Sequence, residues 1–194
     1  MLVLSIVLSS STFQSIGLIN AIGQTILFTL VVCIPIWKTG RMSYVDIGWP
    51  WGLVLLGLIS FIFSEGYWLR SLIVSGAVVL IGLRMGLGAL KFWQLGLLNK
   101  ELPRYQYQRV IWKEEGKDNT SLALQVDAVS QGLANTSFLA LPVFIIASNN
   151  SESFALLEFI GFIILMSSLI MESIADFQKL TFLRRMKKKG KQKQ

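Results

Sequence analysis

Apolar stretches of about 20 residues recur along this chain, and each is long enough to cross the hydrocarbon core of a bilayer as a helix. Five fit that length: residues 16–37, 46–63, 68–90, 128–147 and 154–175. The chain is 53% hydrophobic with a mean hydropathy of +0.60, which is not the balance of a water-soluble domain. Short segments of alternating polarity, the mark of a membrane β-barrel, are absent. The fold class expected is therefore all-α, a multi-span helical membrane bundle with about five transmembrane helices. MLVLSIVL reads as a short lead-in, broken by SSSTFQS before the first span. It lacks the positive start of a secretory signal.

Charge gives the bundle an orientation. Of the 18 Lys and Arg, eight lie beyond residue 178, in KLTFLRRMKKKGKQKQ. The first loop holds Lys38 and Arg41, and the third holds Lys91, Lys100, Arg104, Arg109, Lys113 and Lys117. The second has only Arg70 beside Glu65, and the fourth has no basic residue. Basic loops stay in the cytoplasm, so loops one and three and the C-terminus are expected inside and the N-terminus outside. Residues 1–178 form one helical membrane domain in this reading, and 179–194 a basic cytoplasmic tail against anionic headgroups. No aromatic residue interleaves with the terminal lysines, so no nucleic acid is expected as a partner.

Absences narrow the chemistry. The sequence has one cysteine, Cys33, and no intrachain disulfide follows. It has no His, which removes His-based zinc sites and Ser-His-Asp triads, and no metal is expected. No internal repeat of the transporter kind is visible.

Charge at bilayer depth is costly and usually faces a cavity or a partner. Six residues qualify: Asp46, Arg84, Asp127, Glu158, Glu172 and Asp176. Asp46, in SYVDIGWPWG, sits at the mouth of the second span and reads either as an interfacial cap or as part of a substrate cavity. Asp127, Gln131 and Asn135 fall at i, i+4 and i+8, one polar stripe entering the fourth span. They read as interhelical glue or as the wall of a ligand cavity. Arg84 either snorkels or pairs with Asp46, Asp127 or Glu172. Glu172, Asp176 and Lys179 share one helix face, an internal ion-pair ladder or a row of ligand contacts.

Two Gly-x-x-x-Gly pairs, Gly48/Gly52 and Gly82/Gly86, point to close helix contacts. The third loop mixes aromatic and basic residues over 92–116. It reads either as a helix lying along the membrane surface or as a plain connector, with Pro103 at a helix start or break.

The segment LEFIGFIILMSSLIMESIADFQKLTFLRRM resembles the E-x-x-A-D-x-Q-K…F run of membrane proteins related to steroid 5-alpha-reductase. That group carries a domain of unknown function with the enzyme's C-terminal fold. It shares a superfamily with sterol reductases and isoprenylcysteine carboxyl methyltransferase. VDIGWPWG is similar to the V-D-x-x-W-G segment, ELPRYQYQRV to the R-Y-x-x-x-R loop, and SQGLANTSFLALPVF to the Q-G…L-P-V span. The resemblance covers residues 43–185.

The resemblance implies a membrane reductase that uses NADPH to reduce the carbon–carbon double bond of a hydrophobic, steroid- or lipid-like enone. By motif, Glu172, Asp176, Gln178 and Lys179 fall on the cofactor side. Asp46, Asp127, Gln131 and Asn135 are the candidates for the substrate cavity, and no residue is singled out as the catalytic acid. The family continues with a segment like G-x-W-x-x-S-R-H-P-N-Y-x-G-E, which supplies much of the cofactor grip and has no counterpart here. The expectation is a C-terminally truncated or split reductase, with weak NADPH binding by this chain alone and a separate C-terminal polypeptide as partner. The alternative is a non-catalytic membrane protein that binds lipid or a partner subunit. A methyltransferase of the same superfamily is a third reading.

Overall fold

Prolines decide where the spans of this chain bend. The computed structural model describes residues 10–116 and 120–191. Among them every regular element is helical. α1 (Ser11–Phe28) passes through one π turn (Thr29–Cys33) into α2 (Ile34–Thr39). Pro35 has no N–H to return to the carbonyl four residues earlier, so the ladder widens one turn before it. α6 (Thr120–Thr136) and α7 (Ala140–Ala147) are divided in the same way ahead of Pro142. There the Leu139 amide reaches back five residues to the Ala134 carbonyl at 3.0 Å.

Between these bent spans lie α3 (Val45–Phe63), α4 (Trp68–Gln94) and α5 (Pro103–Glu114). α8 (Leu156–Lys191) is the last described element. Among the described residues five helical stretches are long and apolar enough to cross a membrane: Ser11–Thr39, Met42–Phe63, Trp68–Gln94, Ser121–Ala147 and Leu156–Phe182. The expected helical membrane bundle is the observed class.

Three boundaries differ from expectation. The serine run does not break the first span but starts it: the Ser10 hydroxyl accepts the Phe13 amide at 3.4 Å, as an N-cap does. The lead-in, residues 1–8, lies outside the described residues. At the other end, helix persists through the basic residues as far as Lys191. The Glu158 carboxylate accepts the Ala155 amide at 2.7 Å, so this charge caps the start of α8.

Two compact units divide at Ser151 and Glu152. In the first, α3 is the most buried span. Its sequence is apolar on all sides, which suits a helix enclosed by others. Lipid tails are as apolar as leucine, so close packing and polar contacts must hold such helices together. α3 and α4 meet where side chains are missing. A Cβ on Gly82 would lie 2.7 Å from the Pro50 carbonyl and 2.8 Å from the Val54 amide nitrogen. One on Gly57 would lie 2.7 Å from the Ser75 carbonyl. The second unit consists, in its regular structure, of α8 alone.

Candidate functional site

Asp46 stands in the first turn of α3, where the helix dipole favours a carboxylate. Its Oδ1 accepts the Tyr105 hydroxyl at 2.9 Å and is also the acceptor for Arg104 Nη2. The Arg104 guanidinium lies 4.8 Å from the centre of the Tyr105 ring. Thus one carboxylate from the mouth of a span holds two consecutive residues of the third loop. Arg104 keeps 62% of its side chain exposed, while Tyr105 is buried. Burial pushes the Tyr105 phenol above its ordinary value, and the Arg104 cation beside it works in the opposite direction. The phenol is therefore protonated at neutral pH.

A second carboxylate closes the same end. Glu101 Oε2 accepts the Met42 amide at 3.0 Å and Arg109 Nη2 at 2.8 Å, and its Oε1 accepts the Ser43 hydroxyl at 2.9 Å. Met42 and Ser43 belong to the short 3-10 turn that leads into α3, so Glu101 caps that entry from another part of the chain. Arg109 also donates to the Gly40 carbonyl. Gly40 ends α2 at φ 67°, a left-handed conformation suited to glycine. Arg41 donates to the Leu98 carbonyl at 3.0 Å and to the Tyr44 hydroxyl at 3.1 Å.

Beneath this knot, α5 turns Tyr105 and Trp112, seven residues apart, into a core with Phe28, Val32, Ile36, Met42, Val45, Leu124 and Ala128. The third loop is therefore not a plain connector.

Deeper in the first unit is a group of three amides. Asn20 and Asn135 are wholly buried and Gln24 is 2% exposed. Asn20 Nδ2 donates to the Asn135 carbonyl at 3.2 Å, and Gln24 Nε2 to the Gly52 carbonyl at 2.7 Å. Asn135 Nδ2 donates to the Trp49 carbonyl at 3.0 Å. α1, α3 and α6 are tied together at this level, and Gly52 supplies the space: a Cβ there would lie 2.2 Å from Asn135 Nδ2.

The polar stripe of α6 is thus divided. Asn135 bonds into α3 and receives α1, whereas Gln131 Nε2 turns back to Asp127 Oδ2 at 3.3 Å. The Asp127 charge also acts on Tyr105, raising its pKa. Arg84 lies on α4, half-buried, between Gly82 and Gly86. Glu172, Asp176, Gln178 and Lys179 all lie on α8, in the second unit. Their spacing places Glu172, Asp176 and Lys179 on one face and Gln178 off it. Among the described residues no group of three or more His, Cys, Asp or Glu could hold a metal ion.

Sequence reasoning singled out Asp46, Asp127, Gln131 and Asn135 but not Glu101, Tyr105, Asn20 or Gln24. A signal existed for the last two: amides at i and i+4 within an apolar run require partners just as charges do.

The model of the family described as "Protein of unknown function (DUF1295)" matches residues 33–194. No curated protein and no solved structure matches the chain.

Proposed function

The chain belongs to that family, and from this premise we propose that it is a membrane-embedded, reductase-like protein acting on a hydrophobic, steroid- or lipid-like enone with NADPH. The reading rests on the resemblance of its motifs to steroid 5-alpha-reductase relatives. The observation that supports it best is that two of those motifs, far apart in sequence, close on each other. Asp46 of the V-D-x-x-W-G segment binds Arg104 and Tyr105 of the R-Y-x-x-x-R loop, 58 and 59 residues away. Arg109, the last residue of that loop motif, is held by Glu101.

The residues of α8 suit a dinucleotide by their chemistry. Glu172 and Asp176 offer acceptors to ribose hydroxyls or a carboxamide, Gln178 offers both donor and acceptor, and Lys179 offers a cation to a phosphate. When bound, NADPH supplies the hydride that reduces the double bond. The chain's own part is to polarise the enone carbonyl and deliver a proton. Tyr105, kept protonated by burial, holds its single O–H on Asp46, so to donate to such an oxygen it must exchange that carboxylate for the substrate. The basic first and third loops favour a cytoplasmic position for this end of the first unit.

A second reading is favoured by the mutual satisfaction of the knot. Glu101 is engaged by three donors and Asp46 by two, as expected of a purely structural clasp in a lipid- or partner-binding protein.

Titration of the purified protein with NADPH, followed by nucleotide fluorescence at low and moderate salt, tests the first reading. Asp176→Ala should weaken a saturable signal that Lys188→Ala leaves in place. An unsaturable signal identical in both variants, with no enone consumed, favours the clasp.

A further inference from the structure

Arg41 is a cation fixed in place by neutral groups. It is half-buried just past the turn at Gly40. Its acceptors are the Leu98 carbonyl at 3.0 Å and the Tyr44 hydroxyl at 3.1 Å, and neither carries charge. Its guanidinium lies 5.6 Å from the centre of the Tyr44 ring. Two acceptors leave further N–H donors of that group open among the described residues.

The carboxylates of this end are engaged elsewhere. Asp46 holds Arg104 and Tyr105, and Glu101 holds Arg109 and the turn at Met42 and Ser43. Asp127 lies on α6, accepts Gln131 and acts on Tyr105. Glu114 and Glu115 stand at the C-terminal end of α5, next to Lys113. Lys38, exposed in the last turn of α2, adds a second cation near Arg41 in sequence. The α2 dipole offsets about half a charge there, and the Gly40 carbonyl at that terminus already accepts Arg109. Positive charge therefore stays in excess at this corner.

Depth selects the anion that can meet it. Trp37, beside Lys38, is 80% exposed at the end of the first span. Trp93 is exposed near the end of α4, and Arg41 ties the two ends together through Leu98. Exposed Trp at the end of a span marks the headgroup level. The anions at that level are lipid phosphates. A planar guanidinium can donate to two phosphate oxygens at once.

We infer that Arg41, with Lys38, is a binding site for the phosphate of an anionic phospholipid. The acyl chains lie along the first span, where Leu30 and Ile34 are also exposed. The site is separate from the carboxylate of Asp46 and needs no reductase activity.

The test uses the full chain in neutral detergent micelles, titrated with phosphatidylglycerol or with phosphatidylcholine of the same acyl chains. Native mass spectrometry reads the lipid retained. Phosphatidylcholine carries the same phosphate but adds a cation that Lys38 repels. Phosphatidylglycerol should bind more tightly, by about ten-fold or more. Arg41→Gln and Lys38→Gln should each weaken it by about five-fold. Lys38 makes none of the hydrogen bonds that hold Arg41, so its variant answers even where Arg41→Gln does not fold. Lys113→Gln, among the carboxylates of α5, should leave the preference in place. Equal binding of the two lipids overturns the proposal, as does a preference that Lys38→Gln leaves intact. A loss in Lys113→Gln as large as in Lys38→Gln shows diffuse attraction and also overturns it. Displacement of the lipid by inorganic pyrophosphate at equal concentration assigns the site to a soluble phosphate and overturns the lipid as its occupant.

Discussion

Gly52→Ala should be among the most damaging single-methyl changes in this protein. The added Cβ would stand 2.2 Å from Asn135 Nδ2 and 2.6 Å from Gln24 Oε1, closer than real contacts allow. Neither amide can withdraw cheaply. Asn135 Nδ2 is bonded to the Trp49 carbonyl and Gln24 Nε2 to the Gly52 carbonyl, and both side chains are buried. Overpacking of this kind costs about 1–3 kcal/mol. Each hydrogen bond displaced adds about 1 kcal/mol, since both side chains are buried. Alanine recovers about 0.5–1 kcal/mol of helix preference. The expected net loss is about 3 kcal/mol.

Gly88→Ala is the matched control. Nothing lies within 4 Å of its added Cβ, and the same helix preference should make it neutral to slightly stabilising. Unfolding in mixed neutral-detergent and dodecyl sulfate micelles, followed by tryptophan fluorescence, measures both. Gly52→Ala combined with Asn135→Ala removes the clash with Asn135 and leaves the one with Gln24 Oε1, so the pair should cost less than the two singles together, by about 1–3 kcal/mol. Gly52→Ala within about 0.5 kcal/mol of wild type, or strict additivity in the pair, would refute the amide junction as drawn.

Two further outcomes follow from the ends of the bundle. The Tyr105 phenol has a folded-state pKa above its unfolded one, so its contribution is complete below the unfolded value and declines as pH rises through the folded one. Tyr105→Phe should therefore lower the melting temperature near pH 8 and lose less than wild type as pH rises above about 10; parallel curves would show that the phenol does not titrate in this way. For orientation, a tag after Gln194 should stay shielded from an impermeant reagent in intact cells, and one before Met1 should react. The reverse would place the basic loops outside.

What the sequence disclosed, and what it hid, follow from the range of each interaction. Spans were legible because a bilayer imposes a length on every helix that crosses it. The Gly pairs were legible as packing positions, but not their partners: Gly48 meets Val32 and Gly86 meets the Trp51 ring. The serine run was misread because its Ser, Thr and Gln look like a break when counted by polarity, whereas at Ser10 the hydroxyl begins a helix. Asp46 was visible as a cap but not as an anchor, since its partners are 58 and 59 residues distant. Glu101 left no local trace, because what it caps is the turn at Met42 and Ser43.

The loop helix carries the sharpest case. By composition α5 serves equally well as a membrane-surface helix or as a connector, and period alone does not choose between them. Its inner stripe finds the core through Tyr105 and Trp112, while Tyr107 and Val110 stay outside. Arg104 and Arg109 are bound at Asp46 and Glu101, so α5 is fixed in rotation as well as in place. Of the two carboxylates that fix this helix, Asp46 lies 58 residues from Arg104, whereas Glu101 stands just before the helix and eight residues from Arg109. Releasing Asp46, as in Asp46→Asn, should therefore loosen Arg104 and Tyr105 together and leave Glu101 as the remaining carboxylate that holds α5 through Arg109.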